Sequence, residues 1–246
     1  VIEMKKHDIH THTTYSDGLL SPENLVDKAK NKNLEVLGVC DHGFSKKLMD
    51  TNQITFCLEK YYNHLRAIKN SLNGLELRIG VEIDVSKTYG IDPTQLPFEI
   101  LNQFDYILFE YVNTEKEYWG EVGKRDISEI INIKKEIEIP IGLAHNDIQQ
   151  NYNRNESEIA TILAQHEIFI EIQDSELHPH RGVGRNTRDG LDYYHHFTKK
   201  LIHEMVTKGV KVVCGTDTHT GEYLGELDKA FQFVRENNLQ FHELVI

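Results

Sequence analysis

Apolar residues fall along this chain in two alternating patterns. Residues 36–40, 75–83, 106–111, 141–144, 168–172 and 210–214 are short runs with several Val, Ile, Leu or Phe, and with 6–12, which leads into the first candidate ligands, they predict seven strands. Between them the spacing is helical. Ser21-Pro22-Glu23 predicts a helix start, with Ser as cap, Pro in the first turn and Glu at the positive end of the dipole. Leu58, Tyr61, Tyr62, Leu65, Ile68 and Leu72 share one face of a longer helix that Asn73-Gly74 stops. Residues 127–137, 158–165, 191–208 and 227–237 predict further helices, the third ended by Gly209. No linker interrupts the alternation. It predicts one α/β domain over 1–246, built on a parallel sheet covered by helices.

Each predicted strand ends in a side chain that can bind a metal. The first leads into His10, His12 and Asp17, the second into Asp41-His42, the third into Glu82 and the fourth into Glu110. The fifth ends in His145, the sixth in Glu171, and the last in Asp217 and His219. A hydrophobic core has no use for imidazoles and carboxylates at every strand end. A cluster of divalent metals does, because N and O ligands must converge on one cavity. Barrel enzymes carry their chemistry at these same C-terminal strand ends.

Composition narrows the class. The net charge of −12 argues against extended nucleic acid as a partner, which needs a basic surface, but leaves room for a small anion held by metals. No apolar run is long enough to span a bilayer, and residues 1–6 lack the apolar segment of a signal peptide. The three cysteines, Cys40, Cys57 and Cys214, have no paired spacing. An odd, sparse set fits a reducing cytoplasm, with Cys40 and Cys214 as small buried residues. Nothing in the sequence sets the oligomeric state.

The strings Asp8-Ile9-His10-Thr11-His12-Thr13, Ser16-Asp17-Gly18, Asp41-His42, Gly80-Val81-Glu82, His145 and Asp217-Thr218-His219 occur in that order over almost the whole chain. In this the chain resembles the PHP (polymerase and histidinol phosphatase) superfamily. The resemblance implies a distorted seven-stranded β/α barrel of the TIM type. It also implies two to three divalent transition metals (zinc, manganese or iron) and hydrolysis of phosphate esters by a hydroxide that bridges metals. Carried over position by position, one metal takes His10, His12, Glu82 and Asp217. A second shares Glu82 and uses His145, and a third takes Asp17, His42 and His219. Glu82, Asp217 and His219 are the implied catalytic residues. The family usually has a His at the end of the fourth strand, where this chain has Glu110. Glu110 is therefore a candidate oxygen ligand of the second metal and would shift preference toward harder ions such as Mn²⁺; the alternative is an ion pair at the barrel mouth.

Other residues have weaker assignments. Asp41 is either a carboxylate that orients a His or a turn residue, and Glu171 either a base or neighbour of a ligand or a structural hydrogen-bonding group. Asp147 caps a helix. The loop 178–188 places His180, Arg181, Arg185 and Arg188 after the sixth strand of an acidic protein. Arg pairs bidentately with phosphate, so Arg185, with Arg181 and His180, is a candidate phosphate clamp. A small phosphorylated molecule, most simply a monoester, is the expected substrate. An amidohydrolase-type C–N hydrolase, a nuclease and a non-catalytic metal-binding domain are the competing readings.

Overall fold

A computed structural model describes residues 4–46, 57–117, 120–145, 155–174, 194 and 197–246. The alternation is present. Strands β1 (His7–Asp8), β2 (Val36–Gly43), β3 (Glu76–Asp84) and β4 (Tyr106–Glu110) are followed by a hairpin, β5 (Lys116–Glu117) and β6 (Gly120–Glu121). Then come β7 (Ile141–Leu143), β8 (Ile168–Gln173), β9 (Lys211–Gly215) and β10 (Gln240–Phe241). The main sheet has the order β1-β2-β3-β4-β7-β8-β9-β10, and every pair in it is parallel.

The sheet is a curled half-barrel of eight strands, and this corrects the expected count of seven. The extra strand is β10, whose two residues pair with Lys211 and Val212. A two-residue strand leaves no apolar run to read. Farther along β9, the same edge meets the chain that follows β1. Ile9 N–H donates to the Cys214 carbonyl at 3.1 Å, Asp217 N–H to that of His10 at 2.7 Å, and His12 N–H to that of Thr218 at 3.0 Å. His7 fits between these two stretches, with its Nε2 accepting from Cys214 N–H at 3.1 Å.

The helices follow their sequence signals. Helix α1 (Pro22–Asn31) is capped by Ser21, whose Oγ accepts from Asn24 N–H at 3.3 Å. Helix α2 (Leu58–Ser71) buries Leu58, Tyr61 and Leu65, while Tyr62, Ile68 and Leu72 only flank the core. The helix expected over 191–208 is shorter. It runs Lys199–Lys208, starts where Thr198 Oγ1 accepts from Leu201 N–H at 3.1 Å, and ends at Gly209 with φ +74°. Apolar spacing carries the predicted helix back through Tyr194 and Phe197, which precede the helix: Phe197 belongs to the core and Tyr194 packs against it. Among the described residues no helix is long and apolar enough to cross a membrane.

Period-two alternation divides the sheet's side chains between two cores. Leu37, Val39, Ile79, Val81, Ile107, Phe109, Ile170 and Val212 point outward and pack with helical residues such as Leu25, Leu65, Leu163 and Leu201. Ile9, Cys40, Tyr106, Leu108, Ala144, Phe169 and Val213 point into the curl and form a second apolar cluster. Two glycines make this inner cluster possible. A side chain at Gly80 would strike the Tyr106 ring, and one at Gly142 the Phe169 ring. Tyr106 spends its hydroxyl on the Ile9 carbonyl at 2.5 Å, so its polar end is satisfied within the floor.

Candidate metal centre

The inner face changes character one step farther along each strand. Two residues beyond Cys40 is His42, beyond Gly80 is Glu82, beyond Leu108 is Glu110, beyond Phe169 is Glu171, and beyond Gly215 is Asp217. The alternation that aims Tyr106 and Phe169 inward therefore aims these ionisable groups inward as well. His10, His12, His42, Glu82, Glu110, His145, Glu171 and Asp217 are all buried. The side chains of Asp17 and His219 remain 30% and 22% exposed, which marks the open side of the cluster.

Their donor atoms converge in three groups. In the first, His10 Nε2 lies 3.1 Å from His12 Nε2, 3.2 Å from Glu82 Oε2 and 3.7 Å from Asp217 Oδ1. His12 Nε2 is 2.8 Å from the same Asp217 oxygen. The second joins His12, Asp17, His42 and His219, with His219 Nε2 3.2 Å and His42 Nε2 3.8 Å from Asp17 oxygens. The third is His42, Glu82 and Glu110, with His42 Nδ1 3.0 Å from Glu82 Oε2 and 3.4 Å from Glu110 Oε1. His145 stands on the other side of Glu82, its Nε2 3.0 Å from Oε1.

These atoms fit divalent cations. Glu171 Oε1 takes the Nδ1 proton of His10 at 2.9 Å, so the Nε2 lone pair faces another imidazole nitrogen and two carboxylates. His42 Nδ1 and Glu82 Oε2 are close, yet neither has a partner with hydrogen-bond geometry. Lone pairs crowded together in a buried site need either protons or a cation between them. Without metal, protons fill the role. Burial works against charge on His10, but the Glu171, Glu82 and Asp217 carboxylates hold it well above the usual imidazole value. His42 is likewise raised by Glu82 and Glu110 against its burial. Burial would raise Glu82, yet His10 and His42 hold it well below the usual carboxylate range. Asp17 is low for a similar reason: against burial, His219, His42 and His12 favour its anion. His12 differs, because burial and then the charges of His219 and His42 push it down to about 3.

A ring of buried partners holds these side chains. Glu171 fixes His10 through one oxygen and accepts from His145 N–H through the other at 2.6 Å, which makes it a hydrogen-bonding neighbour of two candidate ligands. Asp41 points away from the centre. It accepts from Thr13 N–H and Oγ1, each at 2.7 Å, and from Ser16 Oγ at 2.6 Å, and so fixes the loop that carries Asp17.

Sequence reasoning missed two such groups. Asp8 accepts from Thr216 N–H and Oγ1 and from Gly225 N–H, which ties β1 to the segment before Asp217. Burial raises its carboxyl to about 6, against those hydrogen bonds. Gln173 donates to Asp217 Oδ2 at 3.3 Å. The period-two spacing from Phe169 through Glu171 was the available signal for Gln173. The backbone adds a feature with no sequence signature. His145 at φ +29° and Asp217 at φ +53° are left-handed, an uncommon state for residues with a Cβ that clusters at functional sites.

The residues expected for the first metal thus share one group, and those expected for the third come together with His12 added. His145 meets Glu82 as expected. Glu110 groups with His42 and Glu82, and His145 lies outside that group, which departs from the expected pairing of Glu110 with the second site. His180, Arg181, Arg185 and Arg188 lie outside the described residues, as does Asp147.

Residues 8–175 match the family described as PHP domain. A probable phosphatase of Acetivibrio thermocellus is 22% identical over 93% of this chain and 86% of its own. A 5′-3′ exoribonuclease of Haemophilus influenzae is 53% identical, but over only 38 residues, 15% of this chain and 14% of that one. Among solved structures, histidinol phosphate phosphatase from Lactococcus lactis, complexed with zinc, L-histidinol and phosphate, superposes with a TM-score of 0.62 at 18% identity over 99% of both chains.

Proposed function

The chain belongs to the PHP domain family and is a metal-dependent phosphoesterase, and we propose that it acts on a small phosphate monoester. The convergence of three donor groups at the open end of the curl carries this reading. Bound divalent cations would neutralise phosphoryl oxygens and lower the pKa of water toward ~7. Two to three zinc, manganese or iron ions suit the donor set of imidazole and carboxylate.

The chain's own side chains divide the work. His10, His12, Glu82 and Asp217 would hold one ion, and Glu82, whose other oxygen lies 3.0 Å from His145 Nε2, would be the carboxylate shared with a second. Asp17, His42 and His219 would hold an ion on the more exposed side. Asp217 sits between the buried and the open groups, 2.8 Å from His12 and 3.6 Å from His219. His219, partly exposed and with its Nδ1 facing the Asp217 carbonyl at 2.9 Å, would line the side from which the alkoxide departs. Arg185, with Arg181 and His180, is assigned to the phosphate dianion on charge alone. The phosphatase named in Acetivibrio thermocellus and the histidinol phosphate phosphatase of Lactococcus lactis support a monoester, and the net charge of −12 disfavours a long polynucleotide.

The short, highly identical stretch shared with an exoribonuclease favours a second reading, removal of nucleotides from RNA ends. One experiment separates the two. Protein reconstituted with Zn²⁺, Mn²⁺ or Fe²⁺ is offered histidinol phosphate, sugar and nucleoside monophosphates, a phosphodiester and a short 5′-phosphorylated RNA. Turnover of monoesters above the diester is the expected result. Cleavage of RNA without monoester turnover would install the nuclease reading instead.

A further inference from the structure

His42 belongs to two donor groups at once, and a neutral imidazole has a single lone pair to give. Its Nε2 faces Asp17 Oδ2 at 3.8 Å, and its Nδ1 faces Glu82 Oε2 at 3.0 Å and Glu110 Oε1 at 3.4 Å. A cation among Asp17, His42 and His219 uses the Nε2 lone pair and leaves the ring proton on Nδ1, between two carboxylates. A cation among His42, Glu82 and Glu110 uses the Nδ1 lone pair and leaves an N–H aimed at Asp17. Serving both would require an imidazolate, which two adjacent carboxylates oppose. The two positions therefore compete for one ring.

Donor arithmetic decides between them. The Asp17 side has its own carboxylate and His219, neither needed elsewhere in the buried part of the cluster. The Glu110 side must draw on Glu82, whose oxygens already face His10 at 3.2 Å and His145 at 3.0 Å. His12 repeats the pattern. Its Nε2 is engaged by Asp217 at 2.8 Å, and its Nδ1 is left facing Asp17 at 3.7 Å.

We propose that Glu110 is a positioning residue: it accepts the Nδ1 proton of His42 and so directs Nε2 toward the ion shared with Asp17 and His219. This rests on the metal-dependent reading above. It differs from the expectation that Glu110 replaces a missing histidine ligand beside His145. A carboxylate behind a ligating imidazole fixes its tautomer and raises its basicity, and removing such a partner typically costs about ten- to a hundredfold in metal affinity.

The test counts ions by mass spectrometry and measures affinities by chelator competition, with no reference to turnover. Glu110→Ala should weaken one ion by about ten- to a hundredfold. Glu110→Gln, nearly isosteric and still able to accept through its amide oxygen, should stay near wild type. A ligand carboxylate would not be rescued in this way, so loss of an ion in Glu110→Gln overturns the proposal. Background variants locate the effect. In His219→Ala, where the outer ion is already lost, adding Glu110→Ala should remove nothing more. In His145→Ala it should still remove an ion. The reverse pattern makes Glu110 a ligand beside His145 and overturns the proposal while leaving metal dependence intact. A wild-type protein that takes up no ion would overturn both, and that failure shows before any variant is made.

Discussion

The floor and the mouth of the curl are built from the same strands, one pleat apart, and are equally buried. At the floor, Cys40, Tyr106, Leu108, Phe169 and Val213 pack by apolar contact, and the Tyr106 hydroxyl is satisfied by the Ile9 carbonyl. At the mouth, His42, Glu110, Glu171 and Asp217 are satisfied only as a set, through a proton, a neighbour of opposite charge or a cation. Strand geometry is indifferent to the distinction, since it only decides which way a side chain points. The fold therefore rests on the floor and the outer helix layer, and the mouth is carried at a cost. Changes at the floor should act on stability, and changes at the mouth on ions and chemistry.

The largest effect should come from Glu82, which faces His10, His42 and His145 together. Glu82→Gln should lower kcat/KM at least about a hundredfold, more than loss of any single His, with the fold retained by circular dichroism. Near-wild-type kinetics would remove Glu82 from the bridging role. Strong chelators should abolish turnover, and added metal should restore it while raising Tm, because an ion that binds only the folded mouth stabilises it by mass action.

Phe169→Ala cuts the floor directly below Glu171. It should cost about 3–5 kcal/mol in chemical denaturation, yet leave metal stoichiometry in the folded fraction unchanged. Loss of ions without loss of stability would erase the division between the two regions.

His7 gives a pH test that the mouth does not enter. Burial holds its imidazole down to about 4, against a hydrogen bond to the Lys5 carbonyl. The unfolded chain takes up the proton near pH 6.5, so the contribution of neutral His7 is full above that value and is lost as the pH falls toward about 4. The whole loss is about 3 kcal/mol. His7→Gln cannot titrate there, and its denaturant midpoint should fall less steeply with acid than that of wild type. Parallel slopes would show that His7 does not set the acid limit.

Glu171→Ala should have the smallest effect of the four. It should weaken metal binding about tenfold through a freed His10 ring, since Glu171 touches ligands rather than ions. A loss as large as that of Glu82→Gln would make Glu171 a ligand in its own right.

How far the sequence could be read follows the range of each signal. The strand runs and the polar residues that end them are local, and so are Ser21-Pro22 and Gly209; those elements were legible. The donor groups around His10, His12, Glu82 and Asp217 could be assembled once the family pattern ordered them. What stayed hidden is set by partners far away in the chain. β10 exists because β9 offers an edge, and Asp8 in β1 holds Thr216 just after β9. Glu110 could be recognised as unusual from sequence. That it faces His42 is a matter of register between β2, β3 and β4, which no run of letters encodes. The left-handed turns at His145 and Asp217 are imposed by what surrounds them.

The pairing of residues 9–12 with 214–218 has a kinetic consequence. His10 and His12 leave a ribosome long before Asp217 and His219 do. The bonds from Ile9 to Cys214 and from His12 to Thr218 cannot form until nearly all of the intervening sequence is made. Contacts so distant along the chain slow folding, because closing the loop must precede any gain from it. Earlier strands can pair while synthesis continues, yet the group of His10, His12 and Glu82 lacks its fourth donor, Asp217, until β9 is made. Completion of the donor groups is thus a late event in the folding of each molecule.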